Sequence, residues 1–138
     1  MSTDLFTPVE GPVRDWLRTA SLPGVEDRVY VGLPGDATFP AVEVTLIDSG
    51  IQPGEAPVAH AMFSFSVWAA GATGAQKTAA AAAAYALASL LLSTNHADLD
   101  DGLVLMGSEI VLGPLPRTDP DGTGRYQLDA ALTLVKAA

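Results

Sequence analysis

The eighteen residues from Thr78 to Asn95, TAAAAAAYALASLLLSTN, carry no charge. Alanine and leucine are strong helix formers, and the spacing predicts a helix over 76–93. Ala80, Ala83, Ala84, Leu87 and Leu91 fall on one stripe of that helix, and Ala81, Tyr85, Ala88 and Leu92 on a second. A helix resting on a single sheet normally turns a charged face to water. This one has no such face, and a chain of 138 residues has little material to cover a helix from behind. The expectation is a helix that packs on its own sheet through one stripe and meets another subunit through the other; the alternative is that alanine simply tolerates exposure and favours helix. Its most apolar part, Ala79 to Leu92, is 14 residues long. That is short of the roughly 20 a bilayer span requires, so no membrane partner is expected.

The stretch that opens this helix, GATGAQKT at 71–78, imitates the phosphate-binding pattern G-x-x-x-x-G-K-[ST]. Gln76 stands where the second glycine belongs. That glycine lets the backbone wrap closely around phosphates, and a phosphate loop also requires a parallel sheet with crossover helices. The alternative reading is a strand-to-helix turn with Thr73 as the N-cap. A small nucleotide-binding enzyme using Gly71 to Thr78 is therefore the disfavoured alternative, and no cofactor is expected.

The remaining periodicities place the other elements. Val9, Val13, Trp16 and Leu17 predict a first helix over 8–20, stopped by Leu22-Pro23-Gly24, with Trp16 in the core. Strands are expected at 29–33, 40–48, 58–69, 104–115 and 125–136, the fourth bulged at Gly107. On the third, Phe63, Phe65 and Val67 share one face and Ser64, Ser66 and Trp68 the other. On the last, Tyr126, Leu128, Ala130, Leu132 and Leu134 alternate with polar or small residues. The strands come in consecutive groups joined by short turns. The predicted fold is thus α+β, a single mainly antiparallel sheet of about five strands with two helices packed on one face. One domain is expected over 1–138, with residues 1–7 as a flexible N-terminal tail and mobile loops at 49–57 and 116–124.

Catalytic signatures are missing from the sequence. There are no cysteines, which excludes disulfides, thiolate metal sites and thiol nucleophiles. His60 and His96 lie far apart, on an expected strand surface and an expected loop. Asp119, Asp121, Thr123 and Gly124 match the first half of a calcium loop, but Ala130 stands where the closing glutamate belongs. Asp98, Asp100 and Glu109 have calcium-loop spacing, yet Leu103 occupies the glycine position. No metal site is assigned. The net charge is −9, and Lys77 is the only Lys or Arg between Arg28 and Arg117. With no basic patch, specific nucleic-acid binding is not expected. The N-terminus lacks the basic and apolar regions of a signal peptide, which predicts a soluble chain made in the cytoplasm.

The order of these segments has a familiar likeness. PVEGPVRDWLRTA, RVYVGLP, FPAVEVTLI, FSFSVWAAG, QKTAAAAAAYALASLLLS and GSEIVLGPLPRTDPDGTGRYQLDAALTLV follow one another over about residues 8 to 136. In this order they resemble the tail terminator proteins of long-tailed (siphovirus-type) bacteriophages. The most similar phrase is the proline- and aspartate-rich turn leading into Arg125-Tyr126. The resemblance implies a structural virion protein without enzymatic activity. It implies a homo-oligomeric ring, commonly a hexamer, at the head-proximal end of the tail. Such a ring caps the tail tube, stops its polymerisation, docks on the head-tail connector protein and leaves DNA a passage. Its partners would be further copies of itself, the tail tube protein and the connector. The nearest alternative is another neck or tail protein, such as a head-completion or tail tube subunit. No functional residue carries over by motif. The sequence pattern itself nominates Trp68, Tyr85 and Leu92 as subunit contacts, with Arg117 and Arg125 as ion-pair partners at the rim; for Trp68 the equal alternative is a loop that covers it.

Overall fold

A computed structural model describes residues 8–50, 58–71, 73–119 and 124–136. The expected N-terminal tail 1–7, most of the loop 49–57, and Asp121 and Thr123 of the calcium-like turn lie outside the described residues.

The chain begins with α1 (Glu10–Thr19). Its Val13 and Leu17 are fully buried, Glu10 stands in its first turn and Arg18 in its last, matching the helix dipole. A turn with left-handed residues at Ser21, Gly24 and Glu26 ends it, and Arg18 donates through Nε to the Val29 carbonyl at 2.9 Å. The strands β1 (Val29–Tyr30), β2 (Ala41–Asp48) and β3 (Val58–Trp68) follow. Next comes α2 (Gly74–Ser93), then β4 (Ala97–Asp98), a short 3-10 turn at Asp100–Gly102, β5 (Leu103–Thr118) and β6 (Gly124–Lys136).

The strands form one sheet in the order β1-β2-β3-β6-β5-β4. All its pairings are antiparallel except β1 with β2. The sheet therefore has six strands rather than about five, and it is mixed. The sixth strand, β4, is a two-residue pairing with Val104 and Leu105 in a segment expected to be all loop. The parallel pair comes from Val29-Tyr30 alone. The segment 31–40 then carries the chain back so that β2 runs alongside β1 in the same direction.

Helix α1 covers the β1–β2 side of the sheet, and α2 lies across β5, β6 and β3. Their apolar stripes join one core with Val42, Val44, Phe63, Phe65, Leu128 and Leu132. Phe63 and Phe65 stack at 5.8 Å between ring centroids. The alternation seen in the sequence holds along β3 and β6. Ala61, Phe63, Phe65 and Val67 point inward opposite Leu132, Ala130, Leu128 and Tyr126, all four on the same face. Ser64, Ser66, Gln127, Asp129 and Thr133 stand on the opposite face, which carries no helix.

Three register shifts interrupt β5 against β6, between Leu105 and Gly107, Ile110 and Leu112, and Leu112 and Leu115. The first is the bulge expected at Gly107, and its additional residue is Met106. A further shift on β2, between Leu46 and Asp48, leaves Ile47 without a partner on β3.

Candidate interaction surfaces

The start of α2 shows what GATGAQKT builds. Thr73 is the N-cap: the Gln76 backbone N–H donates to Thr73 Oγ1 at 3.2 Å, and the Thr73 N–H donates to Gln76 Oε1 at 3.1 Å. This reciprocal pair satisfies two of the backbone donors a helix leaves open at its start. The glutamine that breaks the phosphate pattern is thus the third residue of a capping box. Its side chain also packs close against Gly71, where an added Cβ would lie 2.3 Å from Gln76 Oε1. The strand entering the turn, β3, has antiparallel neighbours on both sides. Lys77 extends over Gly124 at the head of β6 rather than over the loop.

Along α2 the two stripes separate as their spacing requires. Ala80, Ala83, Ala84, Leu87 and Leu91 are completely buried. On the second stripe Ala88 is buried, whereas Tyr85 is 57% and Leu92 65% exposed. Beyond Lys77 in its first turn, the outer face of the helix is Thr78, Ala82, Tyr85, Ser89, Leu92 and Ser93, without a charge.

Trp68, Arg117 and Arg125 occupy a different place, the helix-free face of the sheet near the β5–β6 turn. Trp68 and Arg125 are register partners. The Arg125 guanidinium lies over the indole ring at 5.3 Å from its centroid, and Arg125 donates to Ser66 Oγ at 2.9 Å. The Trp68 indole N–H donates to Glu43 Oε1 at 3.3 Å. Asp119 Oδ1 stands 3.7 Å from Arg125 Nε. Trp68 is thus half-covered by a side chain of its own sheet, a cover the sequence reading did not consider. Arg117, more exposed, donates to Gln127 Oε1 at 2.9 Å. The five nominated residues therefore form two groups on two surfaces: Tyr85 and Leu92 on α2, and the Trp68–Arg125 stack with Arg117 on the open sheet face.

The other candidates of the sequence reading disperse. His60 is exposed on β3, 3.2 Å from Thr133 Oγ1, and His96 precedes β4, with Nε2 3.4 Å from Asp98 Oδ1. Asp98 and Asp100 flank the 3-10 turn while Glu109 projects from β5, so their calcium-like spacing does not bring them together. Among the described residues no three His, Cys, Asp or Glu side chains gather as a metal would require, and no helix is long and apolar enough to cross a membrane. Trp16, expected in the core, is only partly buried. Its exposed side lines a cleft of about 170 Å³ with Pro12, Asp15, Thr19, Asp98, Leu99 and Asp100. In that cleft the hydrogen bond from Arg14 holds the Asp15 carboxyl below its ordinary pKa against the opposing effect of burial, with further attraction from Arg14 and Arg18.

Exposed apolar side chains that the periodicity did not single out lie at the sheet edges. Met106, Val111 and Leu112 are exposed on β5, and Val31 and Ile47 at the opposite edge. A strict alternation puts every second residue inward. A bulge breaks that rule, and its only trace in the sequence is a glycine or a Gly-Pro step such as Gly107 or Gly113-Pro114.

No family model and no curated protein sequence matches this chain. Among solved structures, a chain of the virion of a native gene transfer agent (GTA) particle has the same fold. The two superpose with a TM-score of 0.60 and are 21% identical, over 97% of this chain and 99% of that one.

Proposed function

We propose that the chain is a structural subunit of a phage-like particle, and within that class a tail terminator. In this reading it self-associates into a ring, commonly of six, at the head-proximal end of the tail. The ring caps the tube, ends its polymerisation and presents a surface to the head-tail connector. The observation that carries the reading is the exposed apolar stripe on α2, Tyr85 and Leu92 on a helix with no charge after Lys77. A stripe of that kind is normally covered in the working assembly. The end-to-end fold likeness to a chain of a virion supports the class. The order of segments, which resembles tail terminators, supports the finer assignment. The mechanism is burial of complementary surfaces with no chemical step. The net charge of −9 suits a conduit that DNA must traverse without adhering.

The decisive test is tail length. Particles assembled without this protein are expected to carry overlong, headless tails of variable length, restored to one length when the protein is supplied. Tails of normal length in its absence would refute the terminator role. Growth of the purified chain into long open tubes would favour the tube-subunit alternative.

A further inference from the structure

We draw no further inference here: the strongest candidate, the acidic cleft of Trp16, Asp15, Asp98 and Asp100 between α1 and the 3-10 turn, carries nothing, because Asp15 and Asp98 already have Arg14 and His96 beside them and nothing in the structure points to a ligand there.

Discussion

Gln76 shows how a single side chain decides between two readings. In the sequence it is the residue that spoils a phosphate loop; in the structure it closes a capping box with Thr73. Replacing Thr73 with Ala should lower stability by about 1 kcal/mol, read as a fall in melting temperature. Lys77→Ala should leave it unchanged, and titration of ATP and magnesium into the intact protein should release no binding heat. Gly113, at φ 82°, is less forgiving: a Cβ there would lie 2.2 Å from the Gln127 carbonyl oxygen. Gly113→Ala should therefore cost more than about 1 kcal/mol. Asp15 carries a pH signature. Its folded pKa lies below the unfolded value, so its contribution is present above the ordinary aspartate range and lost as pH falls through the folded value. Its carboxylate is partly exposed, so Asp15→Asn should flatten the acid limb of the stability curve only slightly, by less than about 1 kcal/mol. What the sequence did not reveal at this scale was the stack of Arg125 on Trp68. Trp68 stood out on the polar face and Arg125 was nominated as an ion-pair partner, but only the β3–β6 register makes them neighbours.

At the scale of elements, α2 was the most legible part of the chain. Its inner stripe was readable residue by residue because helical periodicity needs no knowledge of the partner. Leu87→Ala or Leu91→Ala should cost about 2–5 kcal/mol, since both side chains are fully buried. Leu92→Lys on the outer stripe should leave the monomer as stable as before and remove self-association, a separation visible by comparing melting temperature with mass in solution. The strand β5 was the least legible. Its length was underestimated and its outward-facing apolar residues were missed, because three register shifts defeat the period-two rule on which strand reading rests. By contrast β6, free of irregularity on its own side, showed its buried face in the bare sequence.

Over the whole molecule, the class of fold followed from element order, but the arrangement of the strands did not. A parallel β1–β2 pair of two residues and a two-residue β4 are too short to leave a pattern, yet they determine which edges of the sheet stay open. The surplus apolar surface on α2 was evident early because it needs only a count of charges. The account that unites these features is self-association through a helix whose second stripe its own domain leaves exposed at Tyr85 and Leu92. Light scattering on the purified chain and on Leu92→Lys, over rising concentration, tests this most directly. The account predicts a single closed oligomer for the unsubstituted chain and a folded monomer for the variant. A monomer for both at the highest soluble concentration, or an identical oligomer for both, would contradict it.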